Sequence, residues 1–242
     1  MSLIVICVFT DDDENKSSNG TDADADADAD IVDTRSAEDF DLGLDLDSEH
    51  EEDNIIDDII EETKDEDFNS AFFPDQMRCL ALVAHNHMKP AMRQFVLDHK
   101  NILKKFRLTG TNTTMTMLRE VFGNDPSIQY GPTCQSGPLG GDAELCALMC
   151  MEELGGIVFL QDPMDSHPHQ ADIDCLNRQC NVHDIYVANN RSSADAMMTI
   201  LRLALQNGNK SSISSFFQTN VSPSVLEYKR RQQAVLDASI VN

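Results

Sequence analysis

Basic residues are scarce in the first part of this sequence, and their scarcity limits what that part can bind. Residues 1–70 contain 3 Lys and Arg residues against 26 Asp and Glu residues, whereas residues 71–242 contain 15 and 16. Such an acidic segment repels nucleic acid and anionic membranes. It has few aromatic residues and alternates Asp with Ala over residues 22–30, so it cannot bury enough apolar surface to offset the cost of ordering. We predict a disordered acidic extension over residues 1–70 and one folded domain over residues 71–242.

The sequence also lacks an apolar segment long enough to cross a membrane. Residues 1–10 are mostly apolar, but they carry no basic leader and end at Asp11, which makes them too short for a secretory core or a membrane span. The 7 cysteines show no paired spacing of the kind that binds metal, and several lie in apolar runs. We therefore expect reduced thiols in a cytoplasmic protein.

Short apolar runs alternate with helical patterns through residues 71–242. The run Cys79–Ala84 and the run 156–161 are bounded by polar residues or Pro, which is typical of strands buried on both faces of a parallel sheet. The pattern predicts strands at 79–84, 105–109, 128–131, 156–161 and 185–188. It predicts helices beginning near Pro90 and over 115–122, 142–154, 172–180, 193–205 and 225–240. This alternation indicates an α/β fold on a doubly wound, mostly parallel five-stranded sheet with right-handed crossovers.

Polar clusters come directly after four of the predicted strands. They lie at residues 85–87, 109–114, 136–142 and 162–172. Ligands of doubly wound sheets bind in the crevice beyond the carboxyl ends of the strands. The sequence therefore predicts that one edge of the sheet carries the functional site.

The cluster at 109–114 has the composition of an anion site. It places a glycine, four threonine hydroxyls and an asparagine at a predicted helix start, where free backbone N–H groups and the helix dipole attract negative charge. The same residues are also typical of a simple helix cap. Lys89 follows the neighbouring strand and supplies a cation, so a site for a single phosphate group is the better interpretation.

The cluster at 136–142 is rich in glycine but is not a nucleotide-binding motif. It lacks the lysine of a P-loop and the spacing of a dinucleotide fingerprint. Its glycines allow a close approach of backbone to ligand, and it delivers Asp142 to a helix N-terminus. Asp142 is therefore either a helix cap or a catalytic base. The dipole lowers a carboxyl pKa there, so a base would need burial or nearby negative charge to offset it.

The loop that follows the fourth strand is crowded with acidic residues and histidines. Its candidate ligands are Asp162, Asp165, His167, His169, Asp172 and Asp174. They show no regular metal-ligand spacing, so we predict no metal. A histidine near two carboxylates also fits proton transfer around neutral pH. Taken individually, four histidines are interpreted as surface or packing residues: His87, His99, His167 and His183.

Several of these stretches together resemble the methylglyoxal synthase family. They follow the family's order at similar intervals across roughly residues 79–205. The matching stretches are Leu82 to Lys89, Thr109 to Thr111, Ser136 to Asp142, Asp162-Pro163, Pro168 to Asp172, Val187 to Asn190, and Ser193 to Asp195. The resemblance implies a Rossmann-like fold, a homohexamer without a cofactor, and a lyase reaction that converts dihydroxyacetone phosphate to methylglyoxal and inorganic phosphate.

The resemblance also implies roles for individual residues. Asp142 aligns with the base that takes a proton from carbon, His169 with a histidine that polarises oxygen and moves protons, and Asp172 with a second active-site carboxylate. Asp162 is expected to orient the site. The implied substrate- and phosphate-binding residues are His85, Lys89, Thr109, Gly110, Thr111, Asn112, Ser136 and Gly137.

This sequence departs from the pattern of the family in places, and the resemblance is also compatible with a second function. Asn86 stands where bacterial members commonly have Asp. The alternative is a non-catalytic module that senses a phosphate ligand, because related domains of this fold serve that purpose. Binding phosphate does not require carboxylates, so the presence of Asp142, His169 and Asp172 together favours catalysis.

Overall fold

The structure, a computed structural model, describes residues 65–240. These residues all belong to the second of two units of the chain, Glu49–Asn242. Most of the predicted acidic extension, residues 1–64, lies outside the described residues. Its predicted disorder therefore stays a prediction.

The centre of the fold is a five-stranded sheet in which every neighbouring pair of strands is parallel. The strands are β1 (Cys79–Ala84), β2 (Arg107–Thr111), β3 (Gln129–Cys134), β4 (Leu154–Leu160) and β5 (Tyr186–Ala188). Their spatial order is β3-β2-β1-β4-β5. The predicted α/β class and parallel sheet are confirmed.

Helices connect the strands and cover both faces of the sheet. They are α1 (Lys89–Asp98), α2 (Lys100–Leu103), α3 (Asn112–Phe122), α4 (Gly141–Cys150), α5 (Gln170–His183), α6 (Arg191–Asn207) and α7 (Pro223–Ile240). Short 3-10 turns lie at Pro74–Gln76, Asn86–Met88, Gly137–Leu139 and Lys210–Phe216. Among residues 65–240, no helix combines the length and apolar composition needed to cross a membrane.

Several predicted boundaries are wrong, and for the helix before β4 the backbone explains why. The helix predicted over 142–154 ends at Cys150 because Glu152 has a left-handed backbone (φ 63°), through which a right-handed helix cannot continue. Leu154 instead begins β4. The second strand is Arg107–Thr111, so part of the threonine cluster lies within the sheet.

β1 shows how the sheet separates two cores. All its residues are buried, and alternate side chains point to opposite faces. Leu80 and Leu82 join a core with the helices of one face, whereas Ala81 and Val83 join a second core on the other. This is why a continuous apolar run, rather than an alternating one, marks this strand.

The strand order decides where a ligand can bind. The chain builds β1, β2 and β3 outward in one direction and then returns to place β4 on the other side of β1. Beyond the carboxyl ends of β1 and β4 the connections diverge to opposite sides, which opens a crevice. The polar residues that follow β1 and β4 are therefore brought face to face.

The first described residues are attached to the domain although they belong to the predicted extension. The Asp65 carboxylate accepts hydrogen bonds from the Arg202 guanidinium (2.6 Å) and from the backbone N–H groups of Asn101 (2.6 Å) and Ile102 (3.2 Å). The Arg202 guanidinium also lies 4.7 Å from the centre of the Phe68 ring. Arg202 is buried, so Asp65 neutralises a charge that would otherwise be costly.

We predict that Asp65→Ala lowers the free energy of unfolding by about 3 kcal/mol or more, because it leaves a buried arginine unpaired. The measurement is denaturant unfolding of the full chain. Asp67→Ala is the control, because Asp67 pairs with Lys105 at the exposed surface and its loss should leave the midpoint close to wild type. Equal midpoints for the two variants would contradict the prediction.

Candidate active site

A cavity of about 370 Å³ opens at the carboxyl ends of β1, β2 and β4. Its size is at the small end of the range for ligand pockets, which suits a small substrate. Seven of the predicted site residues line it: His85, Lys89, Thr111, Ser136, Gly137, Asp142 and His169. The tertiary structure thus brings together residues from four separate stretches of the chain.

Two predicted binding residues lie within the sheet beneath the cavity. The buried Thr109 hydroxyl donates to the carbonyl oxygen of Pro132 on the neighbouring strand. Gly110 has a positive φ (155°), and a Cβ atom there would lie 2.0 Å from the carbonyl oxygen of Leu82. Gly110 is therefore required for the close approach of β2 to β1.

Two other predicted residues are exposed and do not line the cavity. Asn112 is the first residue of α3, and Thr113 lines the cavity in its place. Asp172 is exposed in the first turn of α5. It is nevertheless close enough for its charge to act on Asp142.

Asp142 is buried in the first turn of α4. Gly141 makes this position possible, because a Cβ atom on residue 141 would lie 2.0 Å from the carbonyl oxygen of Gln135. Burial raises the pKa of Asp142, the charge of His169 opposes the increase, and the charge of Asp172 adds to it. The net effect is a raised pKa, which is what a catalytic base at a helix start requires.

His169 faces Asp142 across the cavity. Its Nε2 atom lies 3.6 Å from Oδ2 of Asp142, slightly beyond hydrogen-bond distance. Within the part of the chain that the structure describes, Oδ2 of Asp142 and Nδ1 of His169 are buried without a hydrogen-bond partner. Unpaired buried polar atoms are costly unless a ligand satisfies them.

Gly137 maintains the separation of this pair. A Cβ atom on residue 137 would lie 2.8 Å from Nε2 of His169 and 3.2 Å from Oδ2 of Asp142. Any larger residue would therefore displace one of the two side chains.

His85 follows β1 and lies beside the pair. Its Nδ1 atom accepts a hydrogen bond from the backbone N–H of Asp162 (2.9 Å), so the ring hydrogen is on Nε2. Burial and then the charges of His167 and His169 lower the pKa of His85 to about 4. His85 is therefore a neutral imidazole near pH 7, and its buried Nε2 has no partner among residues 65–240.

The opposite wall of the cavity suits an anion. Lys89 begins α1, and its Nζ atom donates to Oδ1 of Asn86 (2.7 Å). Because the Asn86 amide is neutral, this contact does not neutralise the charge of Lys89. Thr111 precedes α3, and its own side chain does not cap the first N–H groups of that helix. Thr113 completes this wall. Cation, hydroxyls and helix dipole together match one phosphate group.

Sequence reasoning missed several residues of the cavity wall. The clearest is His167, which lines the cavity and packs its ring against His85 with centroids 3.6 Å apart. Asn86, Thr113, Asp165 and Ser166 also contribute. The signal that was available is the density of His and Asp in the loop after β4, but sequence does not say which of them face inward.

One group of described side chains could hold a cation. Ligand atoms of His87, Asp162 and Asp165 lie within 4.8 Å of one another. His87 Nδ1 already lies 3.0 Å from Oδ2 of Asp162, and Oδ1 of Asp162 accepts from the backbone N–H of Met164. Hydrogen bonds thus account for the closeness of His87 and Asp162.

The site therefore combines groups for proton transfer with groups for phosphate binding in one cavity. A carboxylate of raised pKa and two imidazoles can move protons on carbon and oxygen. A lysine and a helix start can hold a phosphate group and stabilise it as it leaves.

No family model matches the chain, but individual proteins similar to it share one name. The chain is similar to methylglyoxal synthases from Treponema socranskii (45% identity over 121 residues, 50% of this chain and 76% of the relative) and Pseudoalteromonas atlantica (41% over 122 residues, 50% and 87%). It is also similar to that from Thermus thermophilus (37% over 126 residues, 52% and 96%). A solved structure of methylglyoxal synthase from Elizabethkingia anophelis aligns at a TM-score of 0.45 and 31% identity, covering 52% of this chain and 79% of that one. The chain belongs to the methylglyoxal synthase family.

Proposed function

We propose that this chain eliminates inorganic phosphate from dihydroxyacetone phosphate and releases methylglyoxal. The observation that carries the proposal is the buried Asp142 carboxylate, 3.6 Å from His169 in the same cavity as Lys89 and Thr111. A base, an imidazole and an anion wall are the groups that this reaction needs.

The first step removes a proton from carbon. Asp142 takes it from the hydroxymethyl carbon of the substrate, and the electrons of that C–H bond form an enediolate with the neighbouring carbonyl. The raised pKa of Asp142, caused mainly by burial, makes it a stronger base than an ordinary aspartate. Its Oδ2 atom, unpartnered among the described residues, is the proposed acceptor.

The developing oxyanion needs hydrogen-bond donors. We assign this role to Nε2 of His85, which carries hydrogen on a neutral ring, and to His169, which also transfers protons between the oxygens. Donors fixed before the reaction stabilise the transition state without the cost of reorienting solvent.

The second step breaks the C–O bond to phosphate. The terminal oxygen of the enediolate becomes the aldehyde carbonyl, the C=C electrons form a new C=C bond to the carbon that carried phosphate, and phosphate leaves with the electrons of the C–O bond. The resulting enol gains a proton on its CH2 carbon and loses its hydroxyl proton to give methylglyoxal. Lys89, Thr111 and Ser136 are proposed to hold the phosphate group so that the bond that breaks stands roughly perpendicular to the enediolate plane. Positive charge on Lys89 offsets the charge that the leaving group gains.

The other predicted residues have more distant roles in this scheme. Asp172 is proposed to act through its negative charge on Asp142, since it is exposed outside the cavity wall. The prediction that Thr109, Gly110 and Asn112 contact phosphate directly stays a prediction. Their positions support a role in shaping the strand end and helix start beneath it.

We also propose the oligomeric state, the cofactor requirement and the compartment of the enzyme. Family membership supports a homohexamer that acts without a cofactor. The cysteines among residues 65–240 are all free thiols, which supports a reducing compartment such as the cytoplasm.

We predict that the full chain, incubated with dihydroxyacetone phosphate, releases methylglyoxal and phosphate in equal amounts, and that a chelator does not reduce the rate. Asp142→Asn should lower kcat by about 10²–10⁴-fold, because it removes a positioned base, while inorganic phosphate still binds. Phosphate binding is measured by calorimetry. Saturable binding without product in the wild type would instead favour the sensing module.

We predict that Gly137→Ala lowers kcat by about 10²-fold with little loss of stability, because the new methyl group displaces the end of the His169 side chain. Gly123→Ala is the control for a general loss of stability: the positive φ of Gly123 (59°) makes the substitution strained, but its Cβ would meet no atom within 4 Å and it lies outside the cavity wall. Similar activity losses in both variants would show that the effect at residue 137 is a general one on the fold.

We predict that kcat/KM falls as the pH drops through the pKa of Asp142, which lies above the ordinary value of 3.8. The base works only when deprotonated, so activity is lost on the acid side. Asp172→Asn removes a charge that raises this pKa, and the acid limb should move to lower pH. Asp174→Asn, an exposed neighbour on the same helix, should leave the limb in place. Matching profiles for the two variants would rule out an effect of Asp172 on Asp142.

A further inference from the structure

His85 is fixed on one edge by the backbone. The N–H of Asp162 donates to its Nδ1 (2.9 Å), which leaves Nε2 as the protonated atom. This single hydrogen bond allows the imidazole to pivot about the bonded edge. A second contact must therefore fix the plane of the ring if Nε2 is to point at a substrate oxygen.

His167 provides that contact. Its ring centroid lies 3.6 Å from that of His85, with an angle of 37° between the planes. Phe159 meets His85 edge-to-face, with centroids 5.0 Å apart and an angle of 82°. His85 is thus held between a tilted imidazole ring in close contact and a phenyl ring, and the edge-to-face contact with Phe159 is a geometry that aromatic pairs favour.

His167 also contacts the backbone of Asp162, the residue that bonds His85. Its Nε2 atom lies 3.4 Å from the carbonyl oxygen of Asp162, whose N–H bonds His85. The backbone of Asp162, just after β4, therefore contacts both rings. His167 is only half-buried, so its packing is not explained by a need to fill the core.

We propose that His167 is a positioning residue, which stacks on His85 and holds its Nε2–H toward the oxygen that becomes negative during the reaction. The consequence for catalysis rests on the function proposed above. The effect on His85 itself does not, because it is a property of the enzyme without substrate.

Burial and the two neighbouring histidines keep His85 neutral. Burial and then the charges of His167 and His169 disfavour a positive charge on His85, and together they outweigh the opposite effect of Asp162 and Asp165. The stacked neighbour therefore helps keep His85 neutral. A protonated His85 would lose the hydrogen bond from the Asp162 amide, because its Nδ1 would no longer accept.

The experiment compares His167→Ala, which removes the stack, with His167→Phe, which keeps an aromatic face in its place. We expect His167→Ala to lower kcat by about tenfold with KM changed less than about twofold, because a misplaced donor costs more in the transition state than in binding. His167→Phe should recover kcat to within about threefold of wild type. His183→Ala, at a half-buried histidine on the far end of α5, controls for loss of stability, which thermal unfolding measures.

The same variants are examined without substrate by nitrogen NMR of the His85 ring. In the wild type and in His167→Phe we expect Nε2 to stay protonated and Nδ1 unprotonated from about pH 5.5 to 8. In His167→Ala we expect mixed tautomers and titration at higher pH. An unchanged His85 spectrum in His167→Ala, or equal loss of kcat in the Ala and Phe variants, would overturn the proposal. The expected spectra without methylglyoxal production by any variant would support the positioning role and overturn the proposed function.

Discussion

The burial of one carboxylate beside one imidazole is the constraint on which the site depends. Asp142 begins a helix, where the dipole and free N–H groups would make it an ordinary, weakly basic carboxylate. Burial acts against this and raises its pKa, and the gap of 3.6 Å to His169 leaves its oxygen without a strong partner. Gly137 and Gly141 make the burial possible, because a side chain at either position would collide with its surroundings. Among the described residues, Oδ2 of Asp142 has no hydrogen-bond partner. A buried polar atom of this kind is costly to the fold unless a ligand binds it.

The remainder of the cavity distributes charge around that carboxylate. Lys89 and the start of α3 make one wall attractive to phosphate, and the imidazoles of His85, His167 and His169 make the other wall a set of proton donors and acceptors. His85 and Lys89 both follow β1, Thr111 ends β2, and His167 and His169 lie in the loop between β4 and α5, so the order of neighbouring strands brings the two walls together. A small substrate with phosphate at one end and a carbonyl near the other is matched in both chemistry and size.

The strands were the most predictable part of the fold, and the reason is physical. β1 was predicted with its observed bounds because a strand buried on both faces admits only apolar residues. The sequence predicts the third strand at 128–131, whereas the structure has it at Gln129–Cys134, since an edge strand that includes Pro132 and exposed side chains carries little apolar signal. The helix before β4 was extended too far, because a left-handed backbone at Glu152 has no glycine to announce it. Local sequence thus records burial well and backbone reversals poorly.

The sequence by itself determined the α/β class, the edge of the sheet that binds ligand, and the residue types of a phosphate-handling site, since these follow from periodicity and from chemistry placed after strands. Only the tertiary structure decided which of those residues share the cavity. It brought Asp142 and His169 together from stretches far apart in the chain, left Asn112 and Asp172 outside, and added Thr113 and His167. It also attached Asp65 to Arg202, although composition assigned Asp65 to the acidic extension. Direction and burial of a side chain depend on how distant segments pack, and no local pattern encodes that packing.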